Sequence, residues 1–258
     1  MLLKNKCGLI MGVANDKSIA WGIAKELSMQ GAKLAFTYQN DIFYERLQPL
    51  AKSVESDLIF KCDVINVDQI KNVFIQLKKH WKKLDFIVHA LAFSDKSQLK
   101  GRYSETTKTN FINTLLISTF SFTEICKEAI KLMPTGGSII TLTYIGGQRT
   151  TPNYNVMGVA KAALETSVKY LSVDLGQKNI RVNCISAGPM KTLAGAAISG
   201  GRQVYRHTEK NSPLKRNPNL SDLGKGAVYL ISDLSTGVTG EVHYIDCGFN
   251  IIAIPEEI

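Results

Sequence analysis

The chain has 258 residues, 45% of them hydrophobic, and its 31 lysines and arginines against 22 aspartates and glutamates give a net charge of +9. This length suits one large α/β domain or two small ones with a sizeable buried core. The basic residues are spread along the chain without the run of a nucleic-acid-binding arm, so we expect a basic solvated surface and no nucleic-acid partner.

Targeting and cysteine patterns favour a reducing compartment. The first residues lack the apolar stretch of a signal peptide, and no run of about 18 apolar residues occurs as a membrane span requires. Five cysteines stand singly within apolar runs, without a Cys-x-x-Cys pair: Cys7, Cys62, Cys126, Cys184 and Cys247. We therefore expect a cytoplasmic protein without membrane insertion, disulfides or a metal site.

Strand and helix patterns alternate along the whole chain. The predicted strands span residues 7–13, 33–38, 58–62, 85–90, 138–143, 180–185 and 242–246. The predicted helices carry apolar stripes over residues 20–27 and 70–81, and otherwise span 41–52, 104–132, 153–176 and 221–232. This order predicts one domain over residues 1–258, an α/β, Rossmann-like, doubly wound parallel sheet of seven strands with right-handed crossovers.

The loop after the first predicted strand is a candidate dinucleotide contact. It runs from Gly12 to Ser18 and lacks the several glycines usual in such a turn. Ser18 stands at a helix start, where its hydroxyl and the free backbone N–H groups could meet a pyrophosphate. Gly12 could alternatively serve only the turn.

The residues after the second and third predicted strands bear on the choice between NADH and NADPH. The second strand runs into Gln39-Asn40-Asp41, which offers neither an acid for a ribose 2′-hydroxyl nor a clear arginine for a 2′-phosphate. Asp63 and Val64 follow the third strand, where an adenine ring would lie in such a fold, although Asp63 could only cap a helix. We interpret His89, in the fourth strand, as a core histidine.

Tyr154 and Lys161 form the candidate catalytic pair. They lie seven residues apart in a predicted helix, close to two turns, so both side chains emerge on one face. The ammonium lowers the cost of negative charge on the phenol, which makes a proton donor or an oxyanion stabiliser. The alternative is an ordinary amphipathic helix. Because the pair follows the carboxyl end of the fifth strand, where doubly wound sheets bind ligands, the position favours catalysis.

Residues 193–216 follow the sixth predicted strand and are rich in glycine, alanine and basic side chains. We interpret this segment as a small helical substrate lid, the alternative being a plain surface connection. The apolar residues 251–254 near the C-terminus are predicted to pack against another subunit.

Six segments together carry a family resemblance that covers essentially the whole chain. They are GVANDKSIAWGIA from Gly12, LAFTYQND from Leu34, VHALAF from Val88, PNYNVMGVAKAALE from Pro152, IRVNCISAGPMKTLA from Ile180 and SDLSTGVTGEV from Ser232. The sequence closely resembles the short-chain dehydrogenase/reductase superfamily and, within it, the bacterial-type enoyl-acyl-carrier-protein reductases.

Two positions distinguish this resemblance from other short-chain dehydrogenases. Most of those enzymes have a tyrosine four residues before the lysine and a serine thirteen residues before that tyrosine. Here Met157 and Tyr144 stand at those positions. A ketone or alcohol substrate needs the tyrosine to exchange a proton with its oxygen, so the pattern argues against ketoreductase chemistry. Ala90, Ala92 and the 195–201 segment depart from the family forms, which leaves chain-length and inhibitor preference open.

The resemblance implies that hydride from NADH is delivered to C3 of a trans-2-enoyl thioester carried by acyl carrier protein, in a homotetrameric enzyme. It assigns Tyr154 to the thioester oxygen, Lys161 to the nicotinamide ribose and Tyr144 to the acyl pocket, and leaves the source of the C2 proton open. The implied dinucleotide contacts are Gly12, Ser18, Ile19, Gln39, Asp63, Val64, Leu91, Lys161, Met190, Lys191, Thr192, Leu193 and Ala194. The implied substrate contacts are Ser94, Tyr144, Tyr154 and Met157.

Two rivals remain open on the sequence alone, namely a reductase of the same superfamily for another alkene or carbonyl, and a non-catalytic dinucleotide-sensing protein. Basic residues in and near the lid predict a docking face for the acidic carrier protein, the alternative being that they only keep the lid soluble. They are Lys191, Arg202, Arg206, Lys210, Lys215 and Arg216.

Overall fold

The computed structural model describes residues 1–193, 195 and 199–254. Within these residues, seven strands form one sheet in which every neighbouring pair is parallel. The strands are β1 (Cys7–Met11), β2 (Lys33–Tyr38), β3 (Ile59–Lys61), β4 (Phe86–His89), β5 (Gly137–Thr143), β6 (Ile180–Ala187) and β7 (Val242–Ile245). The order β3-β2-β1-β4-β5-β6-β7 reverses the direction of winding between β1 and β4. The predicted doubly wound parallel α/β fold is confirmed.

Helices cover both faces of this sheet. They are α1 (Ile19–Met29), α2 (Asp41–Ser53), α3 (Val67–His80), α4 (Lys108–Leu115), α5 (Ser121–Ala129), α6 (Asn155–Gly176), α7 (Gly201–Asn211) and α8 (Leu220–Ile231). Successive strand residues point to opposite faces, so Leu9 and Met11 join a core with α3, α5 and α6, whereas Ile10 joins a core with α1, α2 and α8. Burial on both faces explains the near-continuous apolar runs of the strands.

The one long helix predicted over residues 104–132 begins later than predicted, and its winding changes along its length. The helix begins at Lys108, where the Thr107 hydroxyl accepts a hydrogen bond from a backbone N–H of the first turn. Between α4 and α5 the backbone widens into a π-helical segment, Leu116–Phe120. Hydrogen bonds to distant parts of the chain accompany this widening. The spacing of apolar residues in the sequence does not predict such bonds.

Ser118 and Thr119 make these bonds from the π segment. The Ser118 hydroxyl accepts from the Phe93 N–H at 3.0 Å and lies 3.2 Å from the Phe93 carbonyl oxygen, to which it can donate. Thr119 Oγ1 donates to the Ala160 carbonyl at 2.9 Å. The segment therefore connects the loop after β4 to α6.

His89 is a core histidine, as predicted. Its ring is fully buried, with Nδ1 2.9 Å from Thr141 Oγ1 and Nε2 2.9 Å from Ser121 Oγ. Burial lowers its pKa to about 3, and the charge of Lys161 acts in the same direction. The ring is therefore neutral at physiological pH. None of the described helices has the length and apolar composition that would take it across a lipid bilayer.

Candidate active site

A cleft of about 2410 Å³ lies at the carboxyl ends of the strands. The loops that follow β1, β4, β5 and β6 contribute to its lining, as does α7. This is the edge at which doubly wound sheets bind ligands, beside the reversal of strand order. Single-ligand pockets span about 300–1,000 Å³. The cleft therefore has room for a dinucleotide and a second ligand together.

The start of α1 lies on this cleft. Ser18 is the residue before the helix, and its hydroxyl accepts from the backbone N–H groups of Ala14 and Asn15, each at 3.0 Å, instead of capping α1. Ile19 and Ala20, in the first turn, line the cleft. The hydroxyl thus orders the loop, while the first turn of the helix offers backbone N–H groups and the positive end of its dipole to an anion.

Gly12 serves the turn and the cleft at once. Its φ of +101° lies in the region that favours glycine, and an added Cβ would come within 2.1 Å of the Ala90 carbonyl oxygen. Only a residue without a side chain lets the loops after β1 and β4 approach this closely. Gly12 also lines the cleft, so the two interpretations of this glycine do not exclude each other.

Tyr154 is a buried phenol at the cleft, 7% exposed. Its ring packs edge-on against Tyr144, with ring centroids 5.2 Å apart. Burial is the main cause that raises the pKa of Tyr154, and the charges of Tyr144 and Glu165 add to it. The expected easing of negative charge on the phenol by Lys161 is not among the effects that act on this pKa. Tyr154 is a protonated hydrogen-bond donor.

Lys161, on α6, lines the same cleft and is 6% exposed. Its Nζ donates to the Leu142 carbonyl at 2.8 Å, which fixes the ammonium beside the end of β5. Burial lowers the pKa of Lys161 to about 8, whereas Cys184 and Glu165 act to raise it. The side chain is therefore positive at neutral pH and loses its charge just above it.

Two asparagines hold the backbone around Tyr154. Asn153 and Asn155 have φ values of 58° and 37°, a region that asparagine tolerates better than most residues. Asn153 Nδ2 donates to the Ser199 carbonyl at 2.8 Å, and Asn155 Nδ2 lies 3.3 Å from the Gly101 carbonyl. Tyr154 therefore precedes the first turn of α6, which begins two residues later than predicted, and its ring is placed by these contacts.

The cleft brings together most of the predicted site residues. Those that line it are Gly12, Ser18, Ile19, Leu91, Ser94, Tyr144, Tyr154, Met157, Lys161, Met190, Lys191, Thr192 and Leu193. Ala194 falls outside the described residues.

Three predicted dinucleotide contacts do not line the cleft. Gln39 and Asp63 are joined by a hydrogen bond of 3.2 Å, and Val64 packs into the core beside α3. Asp63 Oδ1 accepts from the Ile65 N–H at 3.1 Å, whereas the side chain that caps α3 is that of Asn66, so the alternative that Asp63 only caps a helix is wrong. These residues lie at the ends of β2 and β3.

Ser94 is both a lining residue and part of a buried polar network. Its hydroxyl lies 3.0 Å from Thr114 Oγ1 and 3.3 Å from Asn110 Oδ1, both on α4. The Asp95 N–H also donates to Asn110 Oδ1, at 2.9 Å. The network anchors the loop after β4 to α4, so the Ser94 hydroxyl is already engaged within the protein.

The sequence analysis did not single out Arg46, Phe43 or Asn113, which also line the cleft. Arg46 and Phe43 lie on α2, after the turn that was searched for a cation. Arg46 lies within the first two turns of α2, so the signal for it is an arginine in the helix that follows the second strand. Asn113 lies on α4 and carries no signal beyond its amide.

The basic residues predicted for docking differ in their surroundings. Arg216 pairs with Asp222 at the start of α8, with Nη1–Oδ2 at 2.6 Å and Nη2–Oδ1 at 3.3 Å, so it serves that helix. Lys191 Nζ lies 4.6 Å from the ring centroid of Tyr205, in cation–π contact. Arg202 and Arg206, on α7, line the cleft.

A doubly wound sheet, a helix start open to an anion, and a Tyr–Lys pair at the same cleft define a dinucleotide-dependent oxidoreductase of the short-chain class. The model of one family, described as enoyl-(acyl carrier protein) reductase, matches residues 12–250. The chain belongs to the enoyl-acyl-carrier-protein reductase family.

Its similarity to individual members is high over the full length. It is 57% identical to the enoyl-[acyl-carrier-protein] reductase [NADH] 2 of Rhizobium meliloti, covering 98% of this chain and 95% of that protein. It is 52% identical to the FabI enzyme of Rickettsia prowazekii, covering 97% and 96%. The crystal structure of FabI from Candidatus Liberibacter asiaticus superposes with a TM-score of 0.97 at 56% identity, covering 99% of each chain. The Anaplasma phagocytophilum reductase in complex with NAD gives 0.96 at 51% identity, covering 100% of this chain and 98% of that one.

Proposed function

We propose that this chain is an NADH-dependent enoyl-acyl-carrier-protein reductase that saturates the trans-2 double bond of an enoyl thioester. The observation that carries this proposal is that the protonated, buried Tyr154, its neighbour Tyr144 and the Lys161 ammonium line one cleft. NADH supplies the hydride that C3 of the substrate accepts. The residues of the chain must bind the two reactants, stabilise the negative charge that develops on the thioester oxygen, and exclude water.

Tyr154 donates a hydrogen bond to the thioester oxygen. Because its phenol is neutral and its ring is held by packing against Tyr144, the donor is in place before charge develops on the oxygen. Such preorganised donors stabilise the transition state more than the ground state. Tyr144 and Met157 shape the acyl pocket.

Lys161 holds the nicotinamide ribose and makes the site positive. One of its three N–H groups is taken by the Leu142 carbonyl, which leaves two for ribose hydroxyls. The first turn of α1 receives the pyrophosphate, and the loop after β6 with Met190 and Thr192 completes the dinucleotide contacts. Gln39 and Asp63 serve the adenosine end, where their mutual hydrogen bond orients both side chains.

Residues 193–216 act as the substrate lid, and the carrier protein docks beside it through Arg202 and Arg206. Both arginines lie on the part of α7 that lines the cleft. A positive face steers an acidic partner and speeds encounter. Reversing both charges to glutamate should raise the KM for an enoyl thioester on carrier protein severalfold and spare a small coenzyme A thioester.

The matched control for this test reverses Lys78 and Lys79, exposed residues of α3 away from the cleft, with the same change in net charge. Added salt should weaken the reaction of the protein-bound substrate only. Equal effects of the two double variants, or equal effects on both substrates, would show that α7 is not the docking site.

The enzyme works as a cytoplasmic homotetramer. Apolar side chains on adjacent elements are largely exposed, with Ile112 at 50% on α4, Phe120 at 48% in the π segment, and Tyr170 and Val173 at 72% and 74% on α6. Exposed apolar patches of this kind mark subunit interfaces. Light scattering at micromolar concentration should give four times the chain mass, and Val173→Glu should reduce it. A monomer mass for the unaltered protein would contradict the assembly.

The decisive test of the reaction is NADH oxidation with crotonyl thioester against acetoacetyl thioester. The proposed enzyme oxidises NADH with the first and not with the second. Oxidation with acetoacetyl thioester alone would identify a carbonyl reductase of the same superfamily. NADH binding without oxidation in either mixture would identify a dinucleotide sensor.

A further inference from the structure

A buried carboxylate lies one helical turn after Lys161. The Glu165 side chain, on α6, belongs to a residue that is 7% exposed and does not line the cleft. Its Oε1 accepts from Thr143 Oγ1 at 2.7 Å, and its Oε2 accepts from Gln148 Nε2 at 3.1 Å. The Tyr244 hydroxyl of β7 donates to Gln148 Oε1 at 2.5 Å. Burying a carboxylate is costly, and these bonds offset that cost.

The two partners of Glu165 stand at the two ends of one short segment. Thr143 precedes Tyr144, and Gln148 follows the 3-10 turn Ile145–Gly147. Glu165 is therefore bonded on both sides of the segment that carries Tyr144. Lys161 adds to this attachment through the Leu142 carbonyl, so two side chains one turn apart on α6 hold consecutive residues of β5.

The segment that carries Tyr144 packs closely against both Tyr154 and Glu165. A Cβ added to Gly146 would come within 2.5 Å of Tyr154 Cδ1, and a Cβ added to Gly147 within 3.0 Å of Glu165 Oε1. The position of Tyr144 relative to Tyr154 therefore depends on where Glu165 holds the segment. A small displacement of reacting groups can lower a rate substantially.

Glu165 lies one turn from Lys161 on the same helix, and its charge acts to raise the pKa of Lys161. Cys184 on β6 also acts on Lys161, and the charge of Lys161 in turn acts on His89 on β4. Burial raises the pKa of Cys184 and lowers that of His89, and it raises the pKa of Tyr154 at the start of α6, so all three are neutral at pH 7. Glu165 is left as the acidic group acting on the ammonium.

We propose that Glu165 is a positioning residue for the reductase reaction, which fixes the Tyr144 segment against Tyr154 and supplies the negative charge that retains the Lys161 ammonium. This inference rests on the proposed function for its kinetic readout, and NADH binding provides a readout that does not need turnover.

The test is Glu165→Gln, which keeps the shape and the acceptor for Thr143 but removes the charge and presents an amide to Gln148. We expect kcat with crotonyl thioester to fall about tenfold or more, as for the loss of a hydrogen bond to a charged group. We also expect the upper pH limit of NADH binding, followed by fluorescence, to move to lower pH. The sign follows because losing a nearby negative charge makes the ammonium easier to deprotonate.

Two variants of Thr143 test whether its hydrogen bond to Glu165 anchors the Tyr144 segment, independently of whether Glu165→Gln folds. Thr143→Val removes one anchor without touching the charge, so it should lower kcat or raise KM while leaving the pH limit of NADH binding in place. Thr143→Ser keeps the donor and should lose less than Thr143→Val. This pair tests the anchor even where Glu165→Gln does not fold.

The control is Glu128→Gln. Glu128, on α5 and outside the cleft lining, is another buried carboxylate, 5% exposed, and its Oε2 lies 2.7 Å from Lys131 Nζ just after that helix. It should leave kcat and the pH limit unchanged. An unshifted pH limit in Glu165→Gln, or equal kinetics for Thr143→Val and the unaltered protein, would overturn the inference. If the unaltered protein binds NADH but reduces no enoyl thioester, the proposed function fails, and the pH limit still decides the charge role of Glu165.

Discussion

Tyr154→Phe isolates the hydroxyl that the proposed mechanism needs. Within the described residues this hydroxyl has no protein hydrogen-bond partner, whereas the ring is packed against Tyr144 at 5.2 Å. Phenylalanine keeps that ring contact and leaves no donor or acceptor unpaired. The free energy of unfolding should therefore change by less than about 1 kcal/mol, since large losses need a cavity or an orphaned polar group.

The catalytic loss in Tyr154→Phe should be far larger than any loss of stability. Removing one oxyanion donor costs on the order of 3 kcal/mol, which corresponds to a fall in kcat of roughly 10². The assay is NADH oxidation at saturating enoyl thioester, with NADH affinity and urea unfolding measured on the same samples. Unchanged kcat would refute the donor role. A parallel loss of NADH affinity or stability would show that Tyr154 acts by holding the fold or the cofactor.

Further predictions concern the cofactor. Lys161→Ala should lower both NADH affinity and kcat. Lys161→Arg should lower them less, because arginine keeps the positive charge but presents its donors in a different geometry. NADH affinity equal to that of the unaltered protein in Lys161→Ala would show that this lysine is structural. In the unaltered protein, NADH affinity should fall as pH rises through about 8, because Lys161 loses its proton there; constant affinity up to pH 10 would contradict it. NADH should have a higher specificity constant than NADPH, because Asp41 in the Gln39-Asn40-Asp41 turn repels a 2′-phosphate. Arg46→Ala should widen the difference, because Arg46 lines the cleft and its positive charge attracts a 2′-phosphate.

Much of the fold could be predicted because it depends on patterns that repeat. Strands buried on both faces give continuous apolar runs, and the helices between them give apolar stripes, so the element order and the parallel sheet follow. The Tyr154 and Lys161 pair could also be placed, because a strand end and a helical spacing together determine where two side chains point.

Features that depend on contacts between distant parts of the chain could not be predicted. The π segment accompanies the bonds of Ser118 to Phe93, which lies 25 positions earlier. Arg216 was expected at a docking face because charge is visible in a sequence, but its partner Asp222 belongs to the capping of a different helix. The protonation of Tyr154 depends on burial, which no local spacing reveals.

Gly12 also limits how this sequence can vary. The atom that an added Cβ would meet first is a backbone oxygen, that of Ala90 just after β4, and a backbone atom cannot move aside as a flexible side chain can. A substitution of Gly12 therefore cannot be compensated by changing one neighbouring side chain. Gene libraries built to alter cofactor preference or inhibitor response should leave codon 12 fixed, and their diversity is better placed on α2 and α7, whose cleft-facing side chains are long and partly exposed.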